Sequence, residues 1–160
     1  MIKYKFFDTD VTGKAEYDIC GEEYRNLIRV CCQYSSVFSF LVSSTKCSWV
    51  RDLDKFRISA DDRLPFAYGH YFQNLQEGLS SIRFYHVCME LEQVLIERCY
   101  SIFSWTSAWG NANPDDPTFY RADGSIFFSA IVHEGECTLT PKEDERIDEI
   151  IKNQHWILTE

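Results

Sequence analysis

The chain has 160 residues, 45% hydrophobic and 16% aromatic, with Lys+Arg 16 against Asp+Glu 25 and a formal charge of −9. That aromatic content excludes a disordered chain, which has too little apolar surface to offset the entropy of ordering. The length suits one domain, residues 1–160, whose core needs no covalent staples. The acidic excess argues against nucleic acid, whose phosphates recruit Lys and Arg, and against an anionic membrane surface. It favours a basic protein partner, because an opposite field steers encounter.

Seven cysteines, Cys20, Cys31, Cys32, Cys47, Cys88, Cys99 and Cys137, form neither a CxxC nor a zinc spacing. The N-terminal MIKYKFFDTD lacks the apolar stretch of a signal peptide. No run approaches the ~18 apolar residues of a membrane span. The expectation is a cytoplasmic protein, away from membranes, with reduced thiols acting as small hydrophobes. No GxSxG, Walker loop or GxGxxG is present, so no cofactor is expected.

In chain order, Ile2, Tyr4 and Phe6 alternate with Lys3 and Lys5, a strand solvated on one face. A turn follows. Gly21–Tyr34 places Tyr24, Leu27, Ile28, Cys31 and Tyr34 at helical spacing, with Glu22, Glu23, Arg25 and Asn26 elsewhere. VFSFLVSS, from Val37, predicts a strand buried on both faces. STKCSWVRDLDKF suits a short helix or turn carrying Trp49, Leu53 and Phe56, and Ile58–Gly69 reads as a loop. Ile82–Val87 fits either a strand or the start of the next helix. The longest helical pattern spans about Cys88 to Phe103, with Cys88, Leu91, Val94, Leu95, Cys99 and Ile102 inward.

Asp123-Gly124 lies between two strand-like runs and predicts a hairpin. Thr140, Pro141 and Glu143 have the form of a capping box opening a helix from Pro141 to about Asn153, with Ile147, Ile150 and Ile151 inward. The sum is a single α+β domain: a mostly antiparallel sheet, three to four helices, and C-terminal hairpins followed by a capping-box helix.

His133 and Cys137 stand four residues apart, but metal ligands at that spacing need a helix, and the context is β. With Glu134-Gly135 as a two-residue loop, His133 pairs with Glu136, Val132 with Cys137, Ile131 with Thr138 and Ala130 with Leu139. Cys137 then points away from His133, no metal site closes, and a surface His133–Glu136 pair is expected. His70, His86, His133 and His155 form no ligand pair at helical spacing.

Two stretches are candidates for partner binding. In the loop Ser104–Tyr120, Trp109, Phe119 and Tyr120 project beside Asp115 and Asp116, or Trp105 and Trp109 simply cap the core. In the last acidic run, Glu143, Asp144, Glu145, Asp148 and Glu149 outnumber Lys142 and Arg146. This run is either an ordinary solvated face or a patch for a cationic partner. The reading is a small acidic protein-binding protein rather than an enzyme. Its most specific form is an inhibitor or immunity-type protein neutralising a basic toxin domain. The alternative is a small enzyme or ligand-binding domain with a pocket in Tyr68–His86, around Tyr68, His70, Tyr71 and His86.

Overall fold

A computed structural model describes residues 1–42, 47–59, 81–108 and 111–159. Its elements are β1 (Tyr4–Phe7), α1 (Gly21–Tyr34), β2 (Val37–Val42), a 3-10 helix (Ser48–Phe56), β3 (Ser81–His86), α2 (Met89–Arg98), β4 (Asp115–Tyr120), β5 (Ile126–Ile131), a 3-10 turn (Val132–Glu134), β6 (Glu136–Leu139), α3 (Asp148–Ile151) and β7 (Ile157–Leu158). The strands form one antiparallel sheet in the order β3-β2-β4-β5-β6-β1-β7, the expected α+β class.

Alternation along the strands sends Phe6, Phe38, Phe40, Tyr85, Phe119, Phe128, Ala130, Cys137 and Leu139 to one face. There they form the main core with Tyr24, Leu27, Ile28 and Cys31 of α1, Leu91 and Leu95 of α2, and Trp105. Those four α1 residues belong to the stripe read from the sequence. On the opposite face Val37, Ile58, Ile82, Phe84 and Tyr120 make a smaller cluster. β2 is therefore apolar on both sides, as its sequence requires.

The ambiguous Ile82–Val87 stretch resolves as β3 because β2 offers it a full antiparallel ladder. α2 stops at Arg98, short of the expected Phe103. Beyond it, Ser101 bridges to Cys20, and the Ile102 N–H donates to the Ile19 carbonyl at 3.1 Å. These long-range bonds replace helical ones and drop Trp105 into the core. Its indole N–H donates to the Tyr24 hydroxyl (3.2 Å), which donates to the Leu95 carbonyl (2.9 Å).

The Asp123-Gly124 hairpin forms between β4 and β5, with Gly124 at φ 82°. The next hairpin departs from expectation. Its loop is Val132–Gly135, and the register is Ile131 with Glu136, Ala130 with Cys137, Ser129 with Thr138 and Phe128 with Leu139. The partners lie two residues from those expected. An even shift keeps each side chain on its expected face, so Cys137 is still buried in the core. Gly135 makes the longer loop feasible: its φ is +64°, and a Cβ there would collide with the Asp8 carboxylate.

The capping-box helix is overturned. Residues 141–147 are not helical, and α3 covers only Asp148–Ile151. One local bond and one long-range bond take the place of helical ones. The Lys142 N–H donates to Glu145 Oε2 (2.7 Å), and the Arg146 N–H donates to the Tyr34 hydroxyl (2.8 Å). Ile147 and Ile150 nevertheless reach the core.

Candidate interaction surface

The loop half of the expected surface is built into the sheet. β4 lies between β2 and β5, so both of its edges are paired, and an apolar cluster packs on each face, around Phe119 on one and Tyr120 on the other. Phe119 and Tyr120 are 0% and 1% exposed, which corrects their assignment as projecting anchors. Phe119 packs on Phe38 with centroids 4.7 Å apart. Tyr120 points the other way, packs on Phe84, and accepts from the Ser39 hydroxyl at 3.2 Å. Asp115 is half-buried and accepts from the Ser107 N–H (3.0 Å) and hydroxyl (3.1 Å). Asp116 is buried at a left-handed φ of 56°, and its carboxylate accepts from the Val132 N–H at 2.7 Å. Both acids fasten loops; neither is presented to a partner. Trp109, Tyr68, His70 and Tyr71 lie outside the described residues. His86 sits exposed at the end of β3.

The acidic half divides. Glu145 is buried: Arg121 grips it through two bonds of 2.6 Å. Burial pushes its carboxyl up, but bonds from Arg121 and the Lys142 N–H leave it below its ordinary range. It is therefore a structural group and leaves the surface set. Glu143, Asp144 and Asp148 are exposed and make no ion pair among the described residues. Of the cations close by in sequence, Arg146 is exposed and its side chain makes no ion pair among the described residues, while the two lysines are engaged. Lys142 reaches Asp123 (2.7 Å), and Lys152 reaches Glu149 (2.6 Å). Glu23 of α1 joins the end of this surface, accepting from Asn153 Nδ2 at 2.9 Å.

The metal-like set is dispersed. His133 Nδ1 stands 3.8 Å from Asp116 Oδ2 and its Nε2 3.9 Å from Glu134, too far for hydrogen bonds. Glu136 is held by Lys5 at 2.7 Å, which replaces the expected His133–Glu136 pair. Among the described residues no group of three His, Cys, Asp or Glu is placed to hold a metal. All seven cysteines are unbridged, and burial pushes the Cys31 and Cys137 thiols well above their ordinary value.

A groove of about 500 Å³ escaped the sequence reading. Phe7, Val11, Tyr17 and Ile157 line it together with Thr9, Asp10, Gln154 and His155. The rings of Tyr17 and His155 stack at 3.8 Å. Its residues come from both ends of the sequence and meet because β7 pairs with β1. Nothing local signals that juxtaposition.

No described helix is long and apolar enough to cross a membrane. Comparison of the chain with protein-family models, curated proteins and solved structures finds no match in any of the three.

Proposed function

We propose that the chain is a protein-binding protein, not an enzyme, and that it engages a basic partner through Glu143, Asp144 and Asp148 with Glu23 alongside. The carrying observation is that Glu143, Asp144 and Asp148 are exposed without an ion pair among the described residues, while other carboxylates, such as Glu22, Glu90 and Asp52, hold a cation. Unpaired exposed carboxylates raise the on-rate of a cationic partner and release little stability when they bind it. The narrower form of this reading is an inhibitor or immunity protein that neutralises a basic toxin domain in the cytoplasm. Its support is the charge of −9 on 160 residues and the missing nucleotide and nucleophile motifs.

The test is a co-purification from the source cells at low and at physiological salt. Retention of a basic protein, lost in Glu143→Lys/Asp144→Lys/Asp148→Lys, supports the reading. Retention unchanged by those substitutions removes its basis. Co-expression with the captured protein separates the narrower form: an inhibitor restores growth, and an ordinary partner does not.

The ligand-binding alternative, whose Tyr68–His86 stretch lies largely outside the described residues, has a second candidate in the groove at Phe7, Tyr17, His155 and Ile157, which the concave apolar lining favours. Binding of a small-molecule library member, abolished by Tyr17→Ala, would favour it over the acidic surface.

A further inference from the structure

We propose that Arg83, Tyr85 and Arg57 form a binding site for an oxyanion, a phosphate or carboxylate group, at the outer margin of β3. This site is separate from the acidic surface and does not depend on it.

β3 is the outermost strand of its side of the sheet. Arg83 and Tyr85 are two residues apart, so both project to the same face. Arg57 sits opposite Tyr85 in an antiparallel bridge, steadied by the Ile58 N–H donating to the Phe84 carbonyl at 2.8 Å. Bridged antiparallel partners share a face, so two guanidinium groups and one phenol gather at one margin.

Their bonding is incomplete. Arg83 Nε and the Tyr85 hydroxyl are buried and meet no partner in hydrogen-bond geometry among the described residues, although the Arg83 guanidinium lies close enough to Tyr85 to act on its phenol. A donor buried without a partner is costly, which is why such groups mark missing ligands or ions. Among the described residues neither Arg57 nor Arg83 has an acidic partner. Elsewhere the same chain pairs Lys5, Lys55, Arg98 and Arg121 with carboxylates. In a protein of charge −9, two arginines on one strand margin with no acidic partner among the described residues are a local reversal of sign.

The other charged groups leave that sign intact. The Asp54 carboxylate acts on Tyr85 more weakly than either guanidinium, and the Cys47 thiol lies near Arg83. Burial pushes the Tyr85 phenol up to about 12, against the pull of Arg83 and Arg57, so its O–H is available to donate. Two planar guanidinium forks with a neutral O–H match the in-plane lone pairs of a carboxylate or phosphate. A cation would be repelled, and water would satisfy the donors but not the charge. Arg57 is exposed and Arg83 half-buried, so the site opens to solvent at the strand margin and closes at Tyr85.

The test uses the whole chain. Thermal unfolding is followed against inorganic phosphate, acetate and chloride at constant ionic strength. A saturable rise in Tm with phosphate or acetate, absent with chloride, is expected. Phosphate acting alone identifies a phosphate group, and acetate acting as well identifies a carboxylate-type site. Arg83→Gln should weaken the response at least tenfold. Arg57→Gln, an exposed substitution that leaves the core alone, should weaken it severalfold and guards against a misfolded Arg83 variant. Equal shifts with chloride, or unchanged affinity in both variants, would overturn the proposal.

Discussion

Arg121 and Glu145 form a buried, two-pronged ion pair that ties the β4–β5 hairpin to the chain just before α3. Arg121 also donates to the Thr140 carbonyl (2.6 Å) and the Ile126 carbonyl (2.8 Å), and lies over the Phe127 ring at 5.2 Å. The guanidinium is thus bonded on every side, the condition under which a buried pair holds together. Removing one partner strands the other. Arg121→Met should cost about 3–5 kcal/mol in urea unfolding, and Arg121→Met/Glu145→Leu should recover much of that loss. Additive losses would show that the pair is not coupled.

The same pair sets an acid limb. Because Glu145 titrates below its ordinary range in the fold, its contribution is present above about pH 4 and is lost as pH falls through the lowered value. Stability measured between about pH 5 and 2 should fall more steeply in the natural chain than in Arg121→Met.

Asp18 behaves oppositely. Burial pushes its carboxyl up, and the nearby Ser101 hydroxyl and bonds from the Phe103 and Ile19 N–H groups only partly offset this. A raised carboxyl contributes its full stability below about pH 4 and loses it as pH rises through the folded value. Asp18→Asn keeps an oxygen that can accept both N–H bonds and removes the charge. It should therefore be more stable than the natural chain at pH 7, with the gap closing in acid. A pH-independent gap would sink this account.

Gly135→Ala combines a left-handed φ of +64° with a collision against Asp8, so a loss above about 1 kcal/mol is expected. Asp8→Ala in that background should return only the collision part. Urea midpoints of the two variants separate the terms.

Glu143→Lys/Asp144→Lys/Asp148→Lys should leave stability within about 0.5 kcal/mol per site, because these carboxylates touch no described cation. Phe119→Ala should cost about 3–5 kcal/mol, as expected for an aromatic ring removed from a core. If the two behave alike in urea, the division between surface and core made for this stretch is wrong.

Much of the fold was legible wherever local periodicity and burial agree. α1 shows its buried face in Tyr24, Leu27, Ile28 and Cys31 because helical spacing alone gathers them. β2 reads as buried twice because Phe38, Phe40 and Val42 are apolar on one side and Val37 and Leu41 on the other. The Asp123-Gly124 turn is dictated by Gly124's positive φ. The candidate surface was less legible. Phe119 and Tyr120 resemble exposed anchors until β4 is seen to be an interior strand, and strand order is not a local property.

By itself, the sequence determined the class of fold, the α1 stripe, the faces of the strands and the inward direction of Cys137. Each follows from side-chain period, which neighbouring residues set among themselves. Only the tertiary structure decided where helices end, which carboxylates remain in water and which residues meet. Arg121 draws Glu145 inward and, with Tyr34, undoes the helix that Thr140-Pro141 would otherwise start. Pairing of β7 with β1 builds the groove, and the bridge from Arg57 to Tyr85 gathers the arginines. The physical reason is range: propensities of a few tenths of a kcal/mol per residue act locally, while a buried ion pair or a strand ladder between distant segments outweighs them.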